Sequence, residues 1–218
     1  MMPRTLIDLT HPMEDGQPCY PGDPPPRIRP HDTLASAGYN TTHLSFGSHQ
    51  GTHLDAPLHY FADGLPVDRI PLERFYGPAA AADLAPGGGL EEGTAITIES
   101  LAPHAAVFEP RARVILRTGW SRRFGTPGFF ERHPCLTPES AEWIAARGIW
   151  LLGLDTPSPA GDAAPVHQVL LGAGIVILES LANLEALPPR FTLAAFPLKL
   201  AGRDGSPLRA VAIAGEPV

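Results

Sequence analysis

The chain reads as an α/β fold built as a single domain over residues 1–218. Short apolar runs alternate with short helix-like segments, the pattern of strands joined by helices. A length of 218 residues suffices for one well-buried core but not for two full-sized ones. No internal repeat and no linker-like stretch divides it.

Leu6-Ile7-Asp8-Leu9 alternates and reads as a strand. Pro18 to Pro30, with its Pro-Gly-Asp-Pro-Pro-Pro run, reads as an extended loop poor in hydrogen bonds. Tyr39 to Phe46 carries several β-favouring residues and reads as a strand leading into a histidine-rich segment. Residues 71–75 spell one helical turn, residues 79–84 a buried strand, and Gly87-Gly88-Gly89 a loop. Residues 113–117 form a strand, followed by a loop from Gly119 to Pro134. Thr137-Pro138-Glu139 opens a helix with a capping hydroxyl, a proline at the first position and an acid in the first turn. That helix runs to about Arg147, and Gly148 ends it. Residues 149–154 are a buried strand, residues 165–171 a short helix ended by Gly172, and residues 175–178 an antiparallel return strand. Phe191 to Phe196 and Leu208 to Ile213 complete the set.

The net charge of -7 excludes a nucleic-acid binder, which needs a basic face to replace phosphate counterions. No apolar run approaches the ~20 residues of a membrane span. The opening residues lack the long apolar core of a signal peptide, and two cysteines, Cys19 and Cys135, make neither a disulfide framework nor a zinc finger. The expectation is a cytoplasmic protein. Charged residues are 18% of the chain, below the roughly 25% of most soluble domains. The deficit points to surface covered by another subunit, or to a composition biased toward Arg, Ala, Pro and Gly.

His49, His53, Asp55 and His59 fall within eleven residues, all at odd positions, so on an extended strand they share one face. Gly51, Thr52 and Pro57 argue against a continuous helix, and Pro57 against a central strand. The segment is expected to start extended and then bend, turning His59 back. Imidazole and carboxylate together suit zinc, manganese or iron. Two histidines and a carboxylate with open positions mark a catalytic rather than a structural site. His167 and Glu179 stand at the two ends of a helix and its following strand. They form either a second ligand pair or a half-buried histidine and a capping acid.

His49-Gln50-Gly51-Thr52-His53-Leu54-Asp55-Ala56-Pro57-Leu58-His59 resembles the H-x-G-T-H-x-D-x-P-x-H signature of the cyclase family of metal-dependent hydrolases, which includes bacterial kynurenine formamidase and isatin hydrolase. The similarity extends to Asp8-Leu9-Thr10-His11-Pro12, Tyr20-Pro21-Gly22-Asp23, Asp155-Thr156-Pro157-Ser158, His167 to Glu179, and Pro197 to Val211. The resemblance implies a central mixed β-sheet or barrel-like β core flanked by short helices, assembled as a homodimer or homotetramer. It implies two divalent metal ions, zinc or manganese. His49, His53 and Asp55 would hold one, and Asp55, His167 and Glu179 the other, with His59 as general acid/base. The implied reaction is hydrolysis of a small amide, formamide or lactam. A metal-dependent lyase or dehydratase, or a non-catalytic binding module, are the competing readings.

Tyr20 stands where the formamidases resemble Trp, and it reads as either a substrate-pocket wall or a loop tyrosine packed on prolines. The stretch from Asp155 to His167 is shorter than theirs. Asp155 either orients a ligand histidine or caps the following turn. Arg209 has Asp204, Glu216 or a neighbouring subunit as possible partners. Lys199, the single lysine, reads as a stem along apolar surface or a contact near the site. His11 is expected to be structural, and His31, His43, His104 and His133 show no ligand spacing. Phe46, Phe61, Phe129 and Phe130 read as packing residues.

Overall fold

The computed structural model describes residues 4–126, 128–161 and 164–215. Its strands are β1 (Thr5–Asp8), β2 (Arg27–Asp32), β3 (Thr41–Ser45), β4 (His53–Asp55), β5 (Tyr76–Asp83), β6 (Ala95–Ile96), β7 (Arg113–Arg117), β8 (Cys135–Leu136), β9 (Leu151–Leu154), β10 (Val176–Glu179), β11 (Arg190–Ala194), β12 (Gly205–Pro207) and β13 (Val211–Ala214). The α-helices are short: α1 (Leu34–Ala37), α2 (Ile98–Leu101), α3 (Pro138–Ala145) and α4 (Ala164–Gly172).

Nine strands form one curled mixed sheet in the order β1-β13-β11-β5-β7-β9-β10-β4-β12. β5, β7, β9 and β10 are mutually parallel, and both flanks are antiparallel. Parallel neighbours need crossover connections, which α3 and α4 supply before and after β9. Both sheet faces are covered, so the central strands are continuously apolar. Val114, Ile115, Leu116, Leu151, Leu152 and Leu154 are all fully buried. One core gathers Leu9, Leu54, Phe75, Ile115, Leu178 and Phe191 on one face. The other joins Val114, Leu152, Leu154 and Ile177 to Ile144 of α3 and Leu170 of α4. Thr137 caps α3 by accepting from the Ser140 N–H at 3.2 Å, and Gly148 beyond its end takes φ 66°.

Two expectations need correction. The proline-rich stretch stops being loop at Arg27, where β2 begins; Pro30 is tolerated because β2 and β3 form a separate exposed hairpin. For the same reason β3 does not run on into the main sheet. β10 runs back against α4 as expected and lies parallel to β9, because a nine-residue helix spans the full sheet height and returns the chain in the original direction.

Candidate metal centre and substrate cleft

The histidine segment is shaped by three local choices. Gly51 takes φ 63°, the left-handed region where glycine carries no penalty, and makes a turn just before β4. Thr52, buried, donates to Ser180 O at 2.6 Å and accepts from the His11 N–H at 3.0 Å. It thereby fastens the segment to the end of β10 and to the chain following β1. Pro57 then ends the extended stretch and opens a single 3-10 turn, Pro57–His59. The four signature side chains therefore do not lie along one strand. Only His53 and Asp55 alternate on β4, with Leu54 between them in the opposite core. His49 comes from the preceding turn and His59 from the 3-10 turn.

The segment's partners are set by register and by the crossover helix. Glu179 sits directly opposite His53 in the β10–β4 pairing. His167 comes from α4, which crosses above β10, and its ring stacks on Tyr60 at 4.8 Å. Asp204 arrives just before β12, whose Gly205 pairs with Asp55. A Cβ on Gly205 would lie 2.8 Å from His49 Cε1, so glycine is what lets the imidazole rest against that strand.

Asp55 is the centre of the arrangement, fully buried. Its Oδ1 lies 2.6 Å from His49 Nδ1 and 3.3 Å from His53 Nε2, while its Oδ2 lies 3.4 Å from His167 Nε2. Glu179 reaches both His53 Nε2 and His167 Nε2 at 3.3 Å. The ring of His59 lies 4.1 Å from that of His49, and its Nδ1 is 3.8 Å from Asp204 Oδ2. Among the described residues, two sets of side chains have donor atoms close enough to hold an ion, and both include Asp55: one with His49 and His59, the other with His53 and Glu179.

A metal fits these atoms. His53 Nδ1 donates to the Gly51 carbonyl at 2.8 Å, which leaves Nε2 with the lone pair. That Nε2 is buried and hydrogen-bonds to nothing, although it faces Asp55 and Glu179. An orphaned buried nitrogen aimed between two carboxylates calls for a cation.

Electrostatics agree. Burial would lower the pKa of His53, but the Asp55 and Glu179 carboxylates beside it outweigh that and raise the pKa to about 10. His167 is raised to about 10 in the same way. For His49 burial is again outweighed, here by Asp55 and Asp204, and the pKa rises to about 9. Burial likewise opposes ionisation of Asp55, yet His49, His167 and His53 hold it well below the usual carboxylate range. The carboxylates attract positive charge, and a divalent cation would displace the imidazole protons. His59 differs. Burial lowers it, Asp55 opposes and His49 assists, and the net pKa falls below its ordinary 6.5.

The cluster floors a cleft of about 210 Å³ whose walls include Pro18, Cys19, Tyr20, Phe124, Phe130 and Pro157. Tyr20 stands edge-on to Phe130 at 6.1 Å and does line the cleft. Phe130 is a wall rather than pure packing, because the loop beyond β7 folds back over the centre; Phe129 is in the core. Asp155 caps the turn after β7 rather than the one following itself, accepting from Thr118 N, Thr118 Oγ1 and Gly119 N at 2.6–3.0 Å, so its carboxylate is turned to that loop and not to a histidine. Arg209 forms a two-pronged pair with Asp8, at 2.8 and 2.6 Å, rather than with Asp204; Glu216 lies outside the described residues. His11 stacks on Phe124, and Lys199 is exposed. Sequence reasoning missed Asp204, Tyr60 and Phe124 as site residues. Tyr60 adjoins the signature, but Asp204 carries no spacing signal and is placed only by the register of β12.

The Cyclase family, described as "Putative cyclase", matches residues 7–160. The kynurenine formamidase of Bordetella avium (strain 197N) is 34% identical over 212 residues, covering 95% of this chain and 97% of that protein. Isatin hydrolase A from Ralstonia solanacearum superposes with a TM-score of 0.87 at 30% identity, covering 97% of this chain and 92% of the other. A structure described as a potential metal-dependent hydrolase with cyclase activity gives 0.82 at 27% identity, covering 99% and 100%. The chain is thus a metal-dependent hydrolase. A signature centred on β4, a glutamate and a histidine brought to it by β10 and α4, and relatives alike over nearly their full length lead to one assignment: the chain belongs to the cyclase family of metal-dependent hydrolases.

Proposed function

We propose that this chain is an arylformamidase-like hydrolase of a small aromatic amide, formamide or lactam, working with two divalent ions, zinc or alternatively manganese. The observation that carries the reading is the division of Asp55, with one oxygen toward His49 and His53 and the other toward His167. A carboxylate so placed suits a bridge between two cations. His49, His53 and Asp55 would hold the first, and Asp55, His167 and Glu179 the second.

A divalent ion supplies Lewis acidity, polarising a carbonyl oxygen and lowering the pKa of water from 15.7 to about 7. The protein's own groups do the rest. Tyr20, Phe124 and Phe130 stack on the planar substrate and exclude water from its faces. His59, kept neutral at pH 7 by burial, takes a proton from the attacking water and returns it to the leaving nitrogen. The Asp204 carboxylate lies beside His59 Nδ1, a position from which it steadies the ring as charge passes through it.

The exposed Leu34, Tyr39 and Leu44 around the β2–β3 hairpin, with the low charge content, support a homo-oligomer. Among the described residues no helix is long and apolar enough to cross a membrane, and the two free cysteines support a cytoplasmic setting. The test is elemental analysis of purified protein combined with N-formylkynurenine and isatin assays, before and after chelation. About two ions per chain and chelator-sensitive hydrolysis are expected. Full activity after complete metal removal would overturn the mechanism, and metal without either activity would overturn the substrate class.

A further inference from the structure

We infer that Asp204 is a positioning residue of the metal centre, holding His49 with Nδ1 toward the ion and steadying His59 with the same carboxylate. This rests on the reading of His49 and Asp55 as ligands.

The two nitrogens of His49 meet one carboxylate each. Nδ1 faces Asp55 Oδ1 at 2.6 Å and Nε2 faces Asp204 Oδ2 at 2.7 Å. A ligand imidazole commonly donates its far N–H to a carboxylate, which fixes the tautomer and strengthens the ligand nitrogen. Here only Nε2 can be the far nitrogen, because Nδ1 points at the shared Asp55. Asp204 is itself held in place. Ser48 Oγ donates to the same Oδ2 at 3.1 Å, and the Asp204 backbone carbonyl accepts from the Ala56 N–H at 2.9 Å. The carboxylate is therefore anchored to the histidine segment at both ends. His59 Nδ1 lies 3.8 Å from that Oδ2, so one group touches a ligand and contacts the proposed acid/base. The most obvious rival partner, Arg209, is engaged by Asp8.

The experiment compares wild type, Asp204→Ala and Asp204→Asn loaded with Co²⁺, reading the visible ligand-field spectrum and the affinity by chelator competition. Circular dichroism checks the fold of each. Asp204→Ala is expected to bind Co²⁺ about 10–100-fold more weakly, with a shifted spectrum. Asp204→Asn keeps an oxygen acceptor for the Nε2–H and is expected to restore most of the affinity and the wild-type band positions. In turnover, Asp204→Ala should lower kcat more than it raises KM. Wild-type affinity and spectrum in Asp204→Ala would overturn the proposal, as would a loss of one bound ion in Asp204→Asn, which would make Asp204 a ligand instead. Affinity and spectrum are read without substrate, so a wrong substrate class leaves this result intact. Wild-type protein that takes up no Co²⁺ would overturn the ligand reading and this role together.

Discussion

β4 and β9 are equally buried strands of one sheet, two places apart, yet they hold opposite chemistry. Leu151, Leu152 and Leu154 of β9 are dry hydrocarbon packed on both sides. β4 is His-Leu-Asp, with Leu54 in the core and two ionisable groups buried to 3% and 1% exposure on the other face. Burying hydrocarbon stabilises a fold directly, whereas burying charge costs free energy unless partners offset it. β4 sits where β10, α4 and the residue before β12 bring those partners, and the difference separates residues that hold the fold from residues that need a cation.

The comparison can be broken most sharply at Asp55. Asp55→Ala is expected to lose bound metal and cut kcat/KM by on the order of 10³-fold or more, since Lewis-acid stabilisation amounts to several kcal/mol. Elemental analysis alongside turnover checks both halves of that expectation. His59→Ala comes next, lowering kcat by roughly 10²–10⁴-fold with the metal retained. If metal departs with His59, the division between ligand and acid/base is wrong. In wild type the acid limb of kcat/KM has its midpoint below pH 6.5: burial lowers the pKa of His59, so the neutral base persists as pH falls and is lost only below that value.

The converse change is in β9. Leu152→Ala is expected to cost about 2–5 kcal/mol of unfolding free energy in a denaturant titration, with metal content unchanged. A variant that sheds its metal while still folded would show the two strands to be coupled. The smallest effect is expected at the cleft wall. Phe130→Ala removes one aromatic contact of about 0.5–1.5 kcal/mol, a KM rise of roughly 2- to 10-fold, and leaves kcat near wild type.

What could be read in advance follows the same division. Wherever a strand is buried on both faces or a helix carries its cap, composition alone locates it, as for β7, β9 and α3. The ligand types in the histidine segment were legible because four of them crowd eleven residues. The bend at Pro57 that turns His59 back was legible as well, but the earlier turn was not, since the parity of odd positions assumes extended backbone and Gly51 turns out of it. Asp204 was illegible for a different reason. It reaches His49 only through pairing of β12 with β4, a tertiary event without local trace. The partner of Arg209 was left open in the sequence, and Asp8 was not among the alternatives, because the antiparallel β1–β13 pairing that brings it near is equally remote in sequence.

The join between residues 49 and 204 spans 155 positions of chain. Contacts over such separations pay a large loop-closure entropy before they return any stabilisation, so they form late. β12 contributes three residues at an outermost margin of the sheet, the kind of edge that frays or recruits strangers. The grip of Asp204 on His49 is therefore a clasp that closes only after β12 has docked on β4.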